Sequence, residues 1–343
     1  MNDRGTPSNI TLKDVAALAG VSEATASRAF NGSARRVRDD LQQRVLVAAK
    51  KLNYAPTVAA QAVARGQSDV VGLIVHDISD PFFASIAAGA MTTAEAHRLI
   101  VTLGSTMRRP ERELDYLAAL RGQRSRAVVL AGSRVADKNL LEELLTAIRA
   151  YEQVGGHVVV ISQPALPVDT VVVKNRAGAR ELSTALVDLG YRRFGILRGP
   201  TTLMTARDRF RGFSEGLRAA GLGPTAVVAG GFTRDGGHDA MLEILDSAPD
   251  LDCVFAVNDV MAVGAMVACR ERGLDIPHDL GLAGFDDIST LRDLHPGLTT
   301  VRLPLEEMGR LAMELAATAE RGGEPRQVKV AGEVVVRAST PAR

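Results

Sequence analysis

Residues 14–33 read "DVAALAGVSEATASRAFNGS", a stretch too apolar for a linker and too rich in Ala and Ser for an ordinary core. Thr11 followed by Asp14 makes a short capping box, which opens a helix running to about Ala19. Gly20 ends that helix, Val21 plugs the corner, and Ser22 can cap a second helix running to about Asn31 before Gly32. Val15, Ala16, Ala19, Val21 and Ala26 supply a core of small side chains across which two helices can pack closely. A Gly-containing turn between two short helices is the helix-turn-helix pattern. A third amphipathic helix follows, with Leu41, Val45, Ala48, Ala49 and Leu52 at helical spacing.

With the small residues turned inward, Glu23, Ala24, Ser27 and Arg28 lie on the outer face of the second helix. In this motif that helix enters the major groove with its first turns nearest the base edges. Arg28 can donate a bidentate pair to guanine, Glu23 can accept from a cytosine amino group, and Ala24 offers at most a thymine methyl contact. Ser22, Thr25 and Ser27 are short donors suited to phosphate oxygens. Thr11 and Asn31, at the ends of the two helices, belong to the same DNA-facing set. The charge distribution agrees: residues 1–66 hold ten Lys/Arg against five Asp/Glu, whereas the remainder carries an acidic excess. A basic head suits a polyanion.

From residue 70 onward the chain repeats a short apolar run, a turn and an amphipathic helix. The runs include "VVGLIV", "AVVLAG", "HVVVIS", "FGILRG", "CVFAVN" and "LGLAGF". Continuous apolar runs between helical patterns predict parallel strands covered on both faces. The length of this region exceeds one such unit, so two lobes are expected. Ligands in open parallel sheets sit beyond the carboxyl ends of the strands. Reading just past each strand collects Asp80, Phe82, Phe83, Ser162, Gln163, Arg209, Phe232, Asn258, Asp259 and Asp286. Aromatic faces among Asp, Asn and Arg suit a small polyhydroxylated ligand, whose rings are apolar and whose hydroxyls both donate and accept.

Several motifs in order resemble the lac-repressor and purine-repressor (LacI/GalR) family. They are "TLKDVAALAGVSEATASRAFNGS", "RVLVAAKKLNYAPTVAAQAVARGQS", "VGLIVHDISDPFFASI", "GPTTLMTARDRFRGF", "VFAVNDVMAVGAM", "LAGFDDI" and "LTTVRLPLEEMG". The resemblance implies that Glu23, Ala24 and Arg28 read bases while Ser22, Thr25 and Ser27 hold phosphates. It implies a hinge helix in "NYAPTVAAQAVARGQS" that folds against DNA and wedges the minor groove with Val63, where the family's usual wedge is the longer Leu. Thr57 likewise replaces the usual Asn.

The implied fold is α/β. An all-α helix-turn-helix head (1–54) and hinge (55–67) precede a two-lobed, periplasmic-binding-protein-like body of doubly wound parallel sheets (68–343). Crossovers are expected near residues 163, 291 and 325. They would give an N-lobe of about 68–162 plus 292–325 and a C-lobe of about 163–291 plus 326–343. Arg209, Phe232, Asn258 and Asp286 would line an effector cleft opposite Asp80, Phe82 and Phe83. Ser162 stands where many members carry Asp, and Leu303 where many carry Gln, so the effector should differ from a simple sugar in hydroxylation or orientation.

The implied function is a cytoplasmic transcriptional regulator, a repressor by family weight. It binds a near-palindromic operator in double-stranded DNA as a homodimer and is switched by a sugar, polyol or nucleobase-like effector that closes the lobes. The end "VVVRASTPAR" has no leucine heptad, so no helical tetramerisation tail is expected. The alternatives are a solute-binding protein and a sugar- or nucleoside-processing enzyme using the same cleft. The first needs a signal peptide, which "MNDRGTPSNITLKDV" does not resemble. The second needs a catalytic constellation. "GFSEG" (212–216) matches G-x-S-x-G but falls within a helical pattern, which puts Ser214 on the surface. "GLGPTA" (221–226) follows a helix and reads as a turn. Asp286 and Asp287, being neighbours, should not converge on one substrate. The six histidines show no metal-like pairing and suit helix ends and surfaces, while Cys253 and Cys269 read as buried thiols of a reducing compartment. No catalytic residue, metal or cofactor is assigned, and no apolar run is long enough for a membrane.

Overall fold

The structure, a computed structural model, describes residues 10–31, 37–55, 68–320 and 322–343. Pro56, Thr57 and the wedge residue Val63 lie outside the described residues, as does the Asn31 side chain.

The head consists of α1 (Leu12–Ala19), α2 (Glu23–Asn31) and α3 (Asp39–Lys51). Thr11 and Asp14 form the capping box reciprocally: Asp14 N donates to Thr11 Oγ1 and Thr11 N donates to Asp14 Oδ2 at 2.8 Å. Gly20 takes φ 63°, a left-handed C-cap that an L side chain adopts only at a cost. Arg44 of α3 donates to Ala19 O at 2.6 Å, which ties α3 to the turn. Val15, Ala16, Ala19, Ala26, Ala29, Val45, Ala48 and Ala49 are the buried core, and Phe30 meets Tyr54 with ring centroids 6.0 Å apart.

The body contains two larger parallel sheets. The first has the order β11-β5-β4-β3-β1-β2, built from β1 (Val70–Val75), β2 (Ile100–Ser105), β3 (Ala127–Ala131), β4 (His157–Ser162), β5 (Asp169–Val173) and β11 (Gln327–Val330). The second has the order β7-β6-β8-β9, from β6 (Phe194–Leu197), β7 (Pro224–Val228), β8 (Cys253–Ala256) and β9 (Gly281–Ala283). All six expected apolar runs are strands. The helices that flank the first sheet include α4 (Pro81–Ala96), α5 (Arg112–Gly122), α6 (Lys138–Gln153) and α11 (Leu305–Ala317). Those of the second are α7 (Asn175–Asp188), α8 (Met204–Ala219), α9 (Arg234–Ser247) and α10 (Asp259–Glu271).

The crossings between sheets are displaced from the expected positions. β5 joins the first sheet beside β4, and β11 adds beside β5 in the register Val328 to Val171, so both complete their ladders within the N-lobe. The N-lobe therefore runs through Val173 and takes in Val330, and the chain leaves it at residue 174 rather than 163. β10 (Thr300–Arg302) bridges to the C-lobe through Ala283–Thr299 and Asp286–Arg302 and pairs antiparallel with β12 (Glu333–Val335). The second and third crossings thus fall at 303–304 and 331–332, not near 291 and 325.

No helix among the described residues is long and apolar enough to cross a membrane. Cys253 and Cys269 are free and buried. Ser214 lies inside α8, as the pattern indicated; the residue is half-buried, and its Oγ points inward, buried and without a partner among the described residues. "GFSEG" is instead a helix-crossing device. A Cβ at Gly212 would stand 2.0 Å from Arg176 O, and one at Gly216 would stand 1.9 Å from Ser183 Oγ, so α7 and α8 approach to backbone contact.

Candidate functional site

The first site is the outer face of α2. Ser22 Oγ accepts from Thr25 N at 3.2 Å, which caps the helix and holds its first turn open to solvent. Ser22, Glu23 and Ala24 are exposed there, and Thr25, Ser27 and Arg28 are half-buried one turn further along. Arg28 folds back, donating from Nε to Ala24 O at 3.0 Å. To reach a base edge its guanidinium must exchange this local bond for the base. Thr11 sits exposed at the start of α1, its hydroxyl engaged with Asp14.

The second site is a cavity of about 340 Å³ between the lobes. Asp80, Phe82, Phe83, Ser162, Arg209, Phe232, Asn258 and Asp286 all lie on its wall, as does Leu303. Gln163 and Asp259 do not. Asp259 is wholly buried beside it, where it accepts from Thr300 Oγ1 at 2.7 Å and Ile288 N at 3.1 Å. That fixes the loop carrying Asp286, and burial pushes the Asp259 carboxyl up to about 6.

On the C-lobe wall Arg209, from α8, is locked by three acceptors: Asn175 Oδ1 at 2.9 Å, Val257 O at 2.8 Å and Asp286 Oδ1 at 2.7 Å. Its guanidinium also lies 3.9 Å from the Phe285 ring centroid. Burial pushes the Asp286 carboxyl upward and Arg209 draws it back, while Asp259 and Asp80 add repulsion. Asp286 and Asp287 take φ 124° and 57°, two consecutive non-glycine residues in positive-φ backbone. Such strain collects where a side chain must be aimed. The two carboxylates diverge as expected: Asp286 faces the cavity, whereas Asp287 accepts from Arg302 at 2.7 Å and pairs with Arg337. Asn258 caps α10, its Oδ1 accepting from Met261 N.

On the N-lobe wall Asp80 caps α4 through Phe82 N at 3.0 Å and accepts from Arg108 at 3.2 Å. Phe82 and Phe83 meet edge to face, with centroids 5.0 Å apart. Ser162 is turned away from ligand chemistry, donating to Gln163 Oε1 at 2.8 Å and accepting from Arg134 N at 3.2 Å. Sequence reasoning missed Arg108, Asn175, Ser133, Thr202 and His76 on the wall. His76 is not at a helix end or surface: its Nε2 is buried with no hydrogen bond among the described residues, 3.7 Å from Glu113. Glu113 is itself held bidentately by Arg134 at 2.6 and 2.7 Å, both residues buried. No cluster of metal-ligand type occurs among the described residues.

The lobes also touch across the cleft. Val135 and Leu203 form an antiparallel bridge, with Ala136 N donating to Thr202 O and Met204 N to Arg134 O, each at 2.9 Å. Thr205 N donates to Ser133 Oγ at 3.0 Å, and Gln163 Nε2 donates to Thr205 Oγ1 at 2.9 Å. Ser133, Val135, Thr202, Leu203 and Thr205 line the cavity as well, so its wall and this latch are the same segments.

Comparison with known proteins places both sites in context. Residues 11–57 match the model for bacterial regulatory proteins of the lacI family, and residues 184–340 match that for a periplasmic binding protein-like domain. The transcriptional regulator GalS of Salmonella typhimurium is 34% identical over 316 residues, 91% of either chain. A solved complex of the transcriptional regulator CelR with cellobiose superposes with TM-score 0.68 at 32% identity, covering 96% of this chain and all of that one. The lac repressor dimer, solved with operator and an anti-inducer, superposes with TM-score 0.81 at 24% identity over 97% of this chain and 99% of that one.

Proposed function

The chain belongs to the LacI family of bacterial regulatory proteins and is a DNA-binding transcriptional regulator rather than an enzyme; from that premise we propose that it represses by binding a near-palindromic operator as a homodimer and is switched by a small effector held between its lobes. One observation carries the effector reading. Side chains from both lobes converge on one cavity in the same chain as a helix-turn-helix head. A ligand gripped from both sides favours the closed lobes by its differential affinity, and that displacement reaches the head through the N-lobe.

The homodimer reading is supported by apolar side chains left exposed along the free edge of the first sheet. Ile100 and Leu103 on β2, Met107 just after it, Met91 on α4 and Ile78 are all more than a third exposed. A row of this kind suits an interface between copies. Two-fold pairing presents two α2 helices to successive major grooves, hence a near-palindrome. Within each half-site Arg28 reads a guanine, Glu23 and Ala24 flank it, and Ser22, Thr25 and Ser27 fix the register on phosphates. Thr11, Asn31 and the wedge residue Val63 complete the contact set.

Selection of bound sequences from a random duplex pool tests this reading. Enrichment of a near-palindrome is expected, and Arg28→Ala should relax the preference at one guanine by about 1–3 kcal/mol while leaving the other positions intact. Enrichment of a single unpaired half-site would remove the dimer. No enrichment, with or without a panel of sugars and polyols, would remove the operator reading.

A further inference from the structure

One side chain on the cavity wall is committed on one side and open on the other. His76 follows β1 and shares the wall with Asp80, Arg108 and Ser133. Its ring is held in place. It leans on Phe83, with centroids 5.8 Å apart, and Gly132 lies over its other end, where a Cβ would stand 2.5 Å from Nε2. Gly132 takes φ 147°, so both the backbone and the space exclude a side chain there. The two ring nitrogens therefore point in fixed and different directions.

Nε2 points behind the wall. It is buried with no hydrogen bond among the described residues, and it faces Glu113 Oε1 at 3.7 Å. That carboxyl is anionic: burial raises its pKa, but Arg134, bound at 2.6 and 2.7 Å, and His76 outweigh burial and hold it at about 2. A carboxylate only accepts, whereas a neutral imidazole has one N–H and one lone pair, and the surroundings of one nitrogen decide which it carries. The 3.7 Å contact is too long for a hydrogen bond. Across it, an N–H is still favoured by the buried anion and a lone pair opposed. Nδ1 also has no partner among the described residues, but it is not sealed off as Nε2 is, and 12% of the side chain stays exposed.

We propose that His76 is a specificity-determining residue of the cavity: Glu113 keeps its proton on Nε2, and Nδ1 accepts a hydrogen bond from a hydroxyl or amino donor of the ligand. This rests on the cavity being the effector site. The wall then reads a donor at one fixed position. A ligand that offers only an acceptor there meets the Nδ1 lone pair and is rejected.

Two measurements test it. The first needs no ligand: long-range proton–nitrogen correlation spectra of the full-length protein with 15N-labelled histidine, at pH 8, with the His76 signals assigned by their loss in His76→Asn. The proton is expected on Nε2. A proton on Nδ1, on both nitrogens, or shared evenly between them would overturn the proposal and spare the effector reading. The second takes the compound from a panel of neutral sugars and polyols that shifts operator binding furthest. Its midpoint should rise about tenfold in His76→Phe, which keeps a ring but no acceptor. His76→Asn, whose Oδ1 stands in for Nδ1, should stay within about threefold of the unaltered protein. Among the compound's monodeoxy derivatives, one should lose about tenfold on the unaltered protein and nothing further on His76→Phe. An unchanged midpoint in His76→Phe, or equal losses in both variants, would again overturn the role of His76 alone. No shift by any member of the panel would overturn the effector reading and this proposal with it.

Discussion

Glu113 and Arg134 form a fully buried bidentate pair directly behind the cavity wall, with the orphaned Nε2 of His76 beside it. Burial works against the Glu113 carboxylate, but Arg134 and the nearby His76 outweigh it and hold its pKa at about 2, below the usual 4.5. Because the folded value is depressed, this pair contributes stability above pH 4.5, and the contribution is lost as pH falls from there towards 2. Arg134→Met should cost about 3–5 kcal/mol, since it strands a buried carboxylate, whereas the double change Glu113→Gln/Arg134→Met should recover most of that loss. Denaturant melts at pH 7 compare the three proteins. Melts repeated between pH 5 and 2 should show the acid limb flattened in the double variant. A single substitution as mild as the double would mean that the pair carries no such weight. None of this was legible in the sequence, because the three side chains come from the loop after β1, from α5 and from the loop after β3, and only the sheet order brings those together. Most of the cavity-facing residues were legible for the opposite reason: Asp80, Ser162, Asn258 and Asp286 each follow a strand whose apolar run marks its own end, and parallel sheets point those ends at one cleft.

At the scale of elements, what escaped the sequence traces to strands without such a run. Arg108 follows β2, an edge strand whose side chains are largely exposed and whose "IVTLGS" is not continuously apolar. Asn175 follows β5, which the sequence assigned to the wrong lobe. The crossing points slipped because the lobe to which β5, β10 and β11 belong is set by which ladder each completes and not by its own composition. The glycines of α8 are a further case. Their spacing matched a catalytic motif by letters, yet their function is the approach of α7 and α8. Gly212→Val drives a branched side chain into the Arg176 carbonyl and should destabilise the protein by about 3 kcal/mol or more. Gly122→Ala is the converse. It sits at the end of α5 with nothing within 4 Å of a new Cβ, so it should raise stability by about 0.5–1 kcal/mol. Thermal melts of both variants separate glycines needed for contact from glycines merely tolerated, and equal effects would erase that distinction.

At the scale of the whole molecule, the latch between residues 133–136 and 202–205 exists only while the lobes face each other, so under the proposed effector switch its bonds would bias the body towards the closed form. Ser133→Ala with Thr205→Val removes the acceptor of Thr205 N and the acceptor of Gln163 Nε2 and leaves the backbone bridge in place. Each lost bond should weaken closure by about 1 kcal/mol, roughly fivefold. A ligand that grips both lobes must supply that difference, so its apparent affinity should fall and its dissociation quicken by up to that factor per bond. The operator affinity reached at saturating effector should nevertheless equal that of the unaltered protein, because a saturated body is closed in either case. Without effector, the variant's operator affinity should move towards that of the open form. Titrating effector against an operator-binding readout distinguishes the cases. A shifted midpoint with an unchanged end-point identifies the latch as a bias on lobe closure. A changed end-point would mean that Ser133 and Thr205, which also line the cavity, act on the ligand itself.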